Sequence, residues 1–256
     1  MKTASIIINL LLFAAMVAIN GLANALPING FTTGELSDMY PNLFVPAGIT
    51  FSIWGVIYLL LLIFIVTQTI AAFNEKASKY LLSPLASWAF ALTCIFNSLW
   101  IITWHYQMVF LSVVVMLLLL LTLIYLVKRM DSEKIDDFWA RFSVKLPFSI
   151  YLGWISVATI ANITALLVHW NWNGFGIPEN IWAIIMIGAG TLLSILMLIK
   201  RADIFYAIVI IWAFYGIIIK REMSTPVNTD IIYAAWISIA LQAGLIIYFL
   251  TRRESE

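Results

Sequence analysis

Eight long apolar runs are the feature of this sequence that most constrains its fold. They occupy about residues 4–25, 47–72, 84–104, 108–127, 146–168, 180–199, 203–219 and 231–250. Each is long enough to cross the roughly 30 Å hydrocarbon core of a bilayer as a helix, and too long for a barrel strand. The composition agrees, because 63% of the 256 residues are hydrophobic and only 11% are charged. The sequence therefore predicts an all-α fold, a polytopic transmembrane helix bundle of about eight spans.

Four prolines lie near the starts of these runs, at Pro46, Pro84, Pro147 and Pro178. Proline in the first turn of a helix loses no hydrogen bond, because the N–H group at that position has no intrahelical partner. We therefore interpret these prolines as helix starts and not as kinks.

The basic residues predict the orientation of the bundle. With the N-terminus inside and the spans alternating, only Lys220 and Arg221 of the 14 Lys and Arg residues fall outside. The residues that fall on the cytoplasmic side are Lys2, Lys76, Lys79, Lys128, Arg129, Lys134, Arg141, Lys145, Lys200, Arg201, Arg252 and Arg253. Because cytoplasmic loops carry an excess of Lys and Arg, we expect both termini in the cytoplasm and the protein in the cell inner or plasma membrane.

The first apolar run has two interpretations. Lys2, the apolar stretch and the "ANA" of residues 23–25 resemble a signal peptide with its cleavage site. The length of the run, and polar Asn20 and Asn24 near its outer end, favour a retained helix that faces a partner.

The predicted spans carry no charged residue or histidine near their centres. Buried charges mark proton relays, ion pathways and retinal counter-ions, so their absence argues against a pump or a retinal protein. His105 and His169 lie at outer helix ends without a carboxylate or thiol at ligand spacing, and the single cysteine, Cys94, cannot form an intramolecular disulfide. No hydrolase, metalloprotease or phosphate-loop motif occurs. We expect no catalytic residue, no metal site and no nucleic-acid partner.

Three of the predicted spans carry aromatic rings and neutral amides on one helix face, because the residues are spaced by three, four or seven positions. Packing between helices or an interfacial aromatic belt could account for them, and a ligand pocket is the alternative. The residues are Phe51, Trp54 and Tyr58 in the second span, Asn97, Trp100 and Trp104 in the third, and Tyr151, Trp154, Ala158 and Asn162 in the fifth.

Three segments then carry a more specific pattern: "PAGITFSIWGVIYLLL" (46–61), "FNSLWIITW" (96–104) and "PFSIYLGWISVATIAN" (147–162). In this order they resemble the motifs of helices two, three and five in the TspO/MBR family of tryptophan-rich sensory and translocator proteins. The resemblance covers about residues 1–170. It implies a five-helix TspO-like transmembrane unit over residues 1–170 and an additional three-helix extension over residues 171–256.

The resemblance also implies a function. Family members bind tetrapyrroles such as protoporphyrin, and some bind sterols, in an intramembrane pocket covered by the loop after the first helix. Aromatic rings stack on such flat plates, and indole, amide and tyrosyl groups can donate to carboxylates without a buried charge. The ligand-binding residues that the resemblance implies are Pro46, Phe51, Trp54, Tyr58, Asn97, Trp100, Trp104, Tyr151, Trp154, Ala158 and Asn162.

Three roles stay open for such binding. The first is sensing, trafficking or disposal of the hydrophobic ligand, the second is a transporter of a small hydrophobic molecule, and the third is an enzyme that modifies the bound porphyrin. We expect no required cofactor, with a porphyrin or haem-like molecule as ligand, and membrane lipid and the ligand as partners. A homodimer is a further expectation, although the extra helices could cover the surface that smaller members use for dimers.

Two local departures from the family pattern bear on the pocket. Ala47 replaces the second proline of the usual Pro-Pro pair, which could relax the cap over the pocket, and the loop of residues 128–145 is long and charged. Residues 26–45 contain Pro27 and other turn-forming residues and no basic residue. These residues predict a folded lid over the pocket and not a continuous helix.

Overall fold

A computed structural model describes residues 2–26, 28–132 and 137–253, and the chain is 86% helical with no strand in these ranges. Pro27 and Lys134 lie outside the described residues, as do the side chains of Lys2, Arg252 and Arg253. The helices are α1 (Lys2–Ala25), α2 (Thr33–Asp38), α3 (Ile53–Phe73), α4 (Pro84–His105), α5 (Val109–Ser132), α6 (Phe138–Ala140), α7 (Leu146–His169), α8 (Glu179–Arg201), α9 (Ile204–Glu222) and α10 (Thr229–Arg253).

Eight helical segments of the described chain are long and apolar enough to cross a membrane. Each contains one of the eight predicted runs or overlaps nearly all of it, so the prediction of an all-α polytopic bundle is confirmed. The protein is an integral, multi-pass membrane protein of helical type. The side of the membrane on which the termini lie stays a prediction.

The fifth spanning segment begins earlier than the sequence predicted, at Phe138 and not near residue 146. A π-helical stretch, Arg141–Lys145, joins α6 to α7, so Pro147 lies inside a continuous helical segment and does not start it. Proline has no N–H group to donate to the preceding turn. The π turn just before Pro147 has a different hydrogen-bond pattern from an α-helix, and we attribute the continuity of the helix to this turn. The N-cap is instead Asp137, whose carboxylate accepts a hydrogen bond of 2.8 Å from the Ala140 N–H.

Two other prolines do mark helix starts. Pro84 is the first residue of α4, and Pro178 directly precedes α8. In its described residues, the segment between α1 and α3 contains a short turn at Ile28–Gly30, the six-residue helix α2 and a short 3-10 turn at Gly48–Ser52, so it is not a continuous helix, as predicted. Its role as a lid stays a prediction.

The chain divides into two compact units. The first unit comprises Met1–Leu36 and Ile53–Ile155, and the second unit comprises Ser37–Ser52 and Ser156–Glu256. Helix α7 contributes its first part to the first unit and its second part to the second unit. The predicted boundary at residue 170 stays a prediction.

In the first unit, α1 packs against α4 through side-chain amides. The Asn9 amide donates to the Ser87 hydroxyl at 2.9 Å, and the Asn20 amide donates to the Asn97 carbonyl oxygen at 2.7 Å. Hydrogen bonds between membrane helices contribute about 0.6 kcal/mol on average and up to about 1.7 kcal/mol. The expectation that Asn20 faces a partner is therefore met by α4.

In the second unit, α8, α9 and α10 pack pairwise, and the segment before α3 lies on α9. The Ala47 N–H donates to the Gly216 carbonyl at 2.9 Å. A Cβ atom on Gly216 would overlap the Thr50 hydroxyl and lie 3.0 Å from the Pro46 Cβ atom. Glycine at position 216 therefore allows this close approach of backbone to helix.

Two residues are exceptions to the predicted charge bias, and both have acidic neighbours in the second unit. The Lys220 ammonium donates to the Asp38 carboxylate. The Arg221 guanidinium is buried and interacts electrostatically with the Glu179 and Asp38 carboxylates. These two basic residues thus have a structural role in local pairing, which is independent of the excess of Lys and Arg on the cytoplasmic side.

Candidate functional site

Trp54, in the first turn of α3, is the centre of an aromatic cluster in the first unit. Its ring stacks on Tyr58 at 5.5 Å between centroids and 17° between planes, and on Trp100 at 5.8 Å and 30°. Tyr151 and Trp154 meet it edge-on at 6.0 and 6.2 Å. These distances lie in the range of favourable aromatic pairs, each worth about 0.5–1.5 kcal/mol beyond area burial.

A chain of polar contacts holds one side of this cluster. The Asn20 amide donates to the Asn97 carbonyl oxygen at 2.7 Å, and the Asn97 amide donates to the Tyr151 hydroxyl at 2.8 Å. Asn97 and Tyr151 are fully buried. The chain of hydrogen bonds therefore fixes Tyr151, and with it the edge that Tyr151 presents to Trp54.

Two buried polar groups of the cluster are not paired by this chain of hydrogen bonds. The Trp54 indole N–H and the Tyr58 hydroxyl are buried and have no hydrogen-bond partner among the described residues, although the Asn97 side chain is close enough to interact with Tyr58. A buried donor without a partner costs about 1–3 kcal/mol. Such groups are free to bind a ligand or a water molecule, and nearly all buried polar groups in native folds are paired.

An apolar groove of about 610 Å³ between α1 and α3 reaches this cluster at Tyr58. Among the residues described, Tyr58 is the one lining residue with a polar side chain. A second apolar cavity of about 380 Å³ shares Leu62 and Val66 with the groove and continues along α3 towards Tyr80. The residues that line the groove are Leu10, Phe13, Ala14, Val17, Ala18, Tyr58, Leu59, Leu62, Ile65 and Val66.

The first part of the loop after α1, residues 28–33, is bound to the end of α4. The Trp104 indole N–H donates to the Thr33 carbonyl at 3.4 Å. The two ring nitrogens of His105 lie 3.1 Å from the Ile28 carbonyl and 3.2 Å from the Thr33 hydroxyl. The helix end therefore holds this part of the loop in one position.

The structure brings together six of the predicted site residues, Trp54, Tyr58, Asn97, Trp100, Tyr151 and Trp154, in the first unit. Trp104 contacts the loop instead. The other four predicted residues, Pro46, Phe51, Ala158 and Asn162, belong to the second unit. The ligand-binding role of all eleven stays a prediction.

Sequence reasoning missed two parts of this site. The groove residues of α1, such as Phe13 and Ala14, give no signal because apolar residues that face a groove and those that face lipid are alike in sequence. His105, which the sequence places at an outer helix end, is fully buried and holds the loop, and its spacing gives no signal of this contact. No group of three or more His, Cys, Asp or Glu residues within the described ranges is arranged to hold a metal ion.

Comparison with protein families gives a match over most of the chain. The family described as TSPO-like protein matches residues 6–248, so the similarity continues beyond residue 170 through the last three spanning segments. No curated protein and no solved structure gives a significant match.

Proposed function

We propose, starting from the fact that this chain belongs to the TSPO-like protein family, that it binds a flat hydrophobic ligand within the membrane. The ligand is tetrapyrrole-like, with a sterol-like molecule as the second choice. It occupies the groove between α1 and α3, and the aromatic cluster around Trp54 forms the inner end of the site.

The size and lining of the groove support this proposal. Its volume of about 610 Å³ lies within the range of about 300–1,000 Å³ that small-molecule sites occupy. Its walls are apolar, and its one polar lining residue, Tyr58, stacks nearly parallel on Trp54. A planar ligand that stacks on Tyr58 would extend this pair, since offset stacking is a preferred geometry of aromatic rings.

The observation that carries the proposal is the pair of buried donors, the Trp54 indole N–H and the Tyr58 hydroxyl. By hydrogen-bond geometry neither has a partner in the described part of the chain, and the Asn97 side chain is near the Tyr58 hydroxyl. A carboxylate on a tetrapyrrole, or the hydroxyl of a sterol, could accept from both. The site would then bind an acidic porphyrin without any basic residue, which agrees with the absence of charge from the cluster.

The chain of hydrogen bonds from Asn20 through Asn97 to Tyr151 supports a preformed site. Because it fixes the Tyr151 ring, which packs on Trp54, before a ligand arrives, less side-chain entropy is lost on binding. The loop of residues 28–33 is likewise held on α4, at the end that carries Trp104 and His105.

Titration of the purified protein with protoporphyrin IX tests this function. Ala14→Phe fills the groove from an exposed position on α1, where a larger apolar side chain does not disturb the core. We expect this variant to lose at least about tenfold in affinity, because about 1.4 kcal/mol corresponds to a factor of ten. The matched control is Ala240→Phe, an equally exposed alanine on α10, which should bind as the unaltered protein does.

A second variant tests the two donors. Tyr58→Phe keeps the ring and its stacking on Trp54 but removes the hydroxyl. We expect a loss of about threefold to tenfold in porphyrin affinity, since a net hydrogen bond contributes about 0.5–1.5 kcal/mol. If Ala14→Phe, Tyr58→Phe and Ala240→Phe all bind equally, the groove is not the ligand site and the cluster serves helix packing alone.

A further inference from the structure

A third cavity, which shares no lining residue with the α1–α3 groove, lies entirely within the second unit. It has a volume of about 430 Å³. Its floor is apolar and is formed by the end of α7 and the start of α8, with Leu167, Ala183 and Met186 among its residues. Residues 41–44 and the loop after α7 form the remaining walls.

The walls of this cavity are held in place by local hydrogen bonds. The Asn42 side-chain oxygen accepts from the Phe44 and Val45 N–H groups, both at 3.0 Å, and the Asn42 amide donates to the Tyr40 carbonyl at 2.8 Å. The Asn42 side chain therefore makes its hydrogen bonds within its own backbone segment. Because these hydrogen bonds fix the wall, the cavity is preformed.

Two indole rings form the polarisable side of the cavity. Trp172 and Trp182 lie 5.0 Å apart between centroids, with 58° between their planes. The Trp182 indole N–H donates to the Gly174 carbonyl at 2.9 Å. Gly174 has a φ of +64°, and a Cβ atom there would lie 3.1 Å from the same indole nitrogen. The glycine therefore permits both the loop conformation and the fixed orientation of Trp182.

Glu179 is the one ionisable residue among the described residues that line this cavity. Arg221 interacts electrostatically with Glu179 but does not line the cavity, and Arg221 is also near Asp38, which pairs with Lys220. The charge that a bound molecule meets first is therefore the Glu179 carboxylate. The negatively polarised faces of two tryptophans add to its attraction for a cation.

From these observations we infer that the second unit has a binding site for an organic ammonium group attached to an apolar body. The ammonium lies between the Glu179 carboxylate and the rings of Trp172 and Trp182, and the apolar body lies on the floor formed by Leu167 and Met186. A free hydrophobic amine and the quaternary headgroup of a choline lipid share this chemistry.

Calorimetric titration with benzyltrimethylammonium tests the site, using the full-length protein in nanodiscs of phosphatidylglycerol, which contain no choline. We expect saturable binding, and no competition from neopentylbenzene, the neutral isostere, at a matched concentration in the disc. Because Glu179 is exposed, Glu179→Gln should weaken binding about twofold to fivefold, and Trp172→Leu about threefold to thirtyfold. Glu222→Gln removes an exposed carboxylate that does not line the cavity and should leave the affinity unchanged.

The same titration in phosphatidylcholine nanodiscs distinguishes the two sources of the ammonium group. A lower apparent affinity there supports a lipid headgroup as the natural occupant, and an equal affinity supports a free amine. Equal affinities of the Glu179→Gln and Glu222→Gln variants would overturn the proposal, as would equal binding of the neutral isostere. Because Trp172→Leu leaves every charge in place, a loss of binding in that variant cannot come from an altered surface charge.

Discussion

The Asn20 side chain of α1 donates a hydrogen bond of 2.7 Å to the Asn97 side chain of α4, and both residues are buried. Asn97 has two roles in this arrangement, because its own amide donates to the Tyr151 hydroxyl. The first spanning helix is thus connected, through two hydrogen bonds, to the aromatic cluster around Trp54. This connection links α1 to the candidate site through its side chains.

We expect the two asparagines to be energetically coupled. Asn20→Leu and Asn97→Leu should each reduce the free energy of unfolding, and the double variant should lose less than the sum, with a coupling energy of about 0.6–1.7 kcal/mol. Denaturation by SDS in mixed micelles measures the free energy of unfolding of the unaltered protein, the two single variants and the double variant. Thr122→Val, which removes an exposed intrahelical hydrogen bond on α5, is the control and should have little effect. Strict additivity would mean that the two amides do not interact.

Gly216 provides a second prediction, in the other unit. Gly216→Ala places a methyl group against Thr50 and Pro46, and we expect it to reduce the free energy of unfolding by about 1–3 kcal/mol, as overpacking does. Gly244→Ala on α10 meets no atom within 4 Å among the residues described and should be neutral or slightly stabilising. The same denaturation assay compares the two. Equal stabilities would show that residues 46–50 do not pack on α9 in the membrane.

The spans could be predicted from the sequence because hydrophobic length alone decides whether a helix can cross the bilayer. The fifth span begins at Phe138 and not near residue 146. The prediction was wrong there because the charges of Arg141 and Lys145 are typical of a loop. A proline inside the helix, Pro147, strengthened that error. The residue types of Arg141–Lys145 do not indicate a π-helical stretch, because its hydrogen bonds join backbone groups that every residue carries.

The site was partly predictable for a similar reason. The aromatic residues around Trp54 have helical spacing, so each helix face could be identified. The structure brings these residues together in the first unit, and their ligand-binding role stays a prediction. The partners across helices could not be assigned, because a spacing rule works within one helix. The Asn20 to Asn97 hydrogen bond and the position of His105 both depend on the packing of α1 and its loop against α4.

Orientation is tested by single cysteines in a protein whose native Cys94 is replaced by alanine. Cysteines at positions 35 and 175 should react with an impermeant maleimide in intact cells. A cysteine at position 76, in the exposed turn Glu75–Tyr80, should react only after permeabilisation. We expect this result because the predicted cytoplasmic side carries most of the basic residues. Labelling of position 76 in intact cells would reverse the predicted topology.

Asp137 gives a prediction on pH. The Lys79 ammonium donates to its carboxylate at 2.6 Å, and this hydrogen bond, with one from the Ala140 N–H, lowers the pKa of Asp137 to about 2. Because the folded pKa lies below the ordinary value of 3.8, the contribution of Asp137 is fully present above about pH 4 and is lost as the pH falls towards 2. Between pH 5 and 8 the contact should not change.

Hydrogen exchange of the segment 75–80, corrected for the intrinsic rate, measures this contact. We expect equal protection at pH 5 and pH 8, and faster exchange in Asp137→Asn at both. Glu75→Gln removes an exposed carboxylate from the same segment and is the control. A transition of the unaltered protein within that pH range would contradict the low pKa of Asp137.

The loop of residues 28–33 provides the last prediction, which concerns ligand exchange and depends on the proposed function. His105→Leu places an apolar side chain of similar size at a fully buried position and removes both contacts of the imidazole with the loop, at the Ile28 carbonyl and the Thr33 hydroxyl. We expect faster hydrogen exchange in this loop. If the loop covers the bound ligand, protoporphyrin IX should dissociate several-fold faster, while its association rate changes less, because a loosened cover affects release more than capture. Stopped-flow fluorescence measures both rates, and Ser98→Ala, which removes only a bond within α4, is the control. Faster loop exchange with unchanged dissociation would separate the two questions: the contacts of His105 would be confirmed and the lid role of the loop would be wrong.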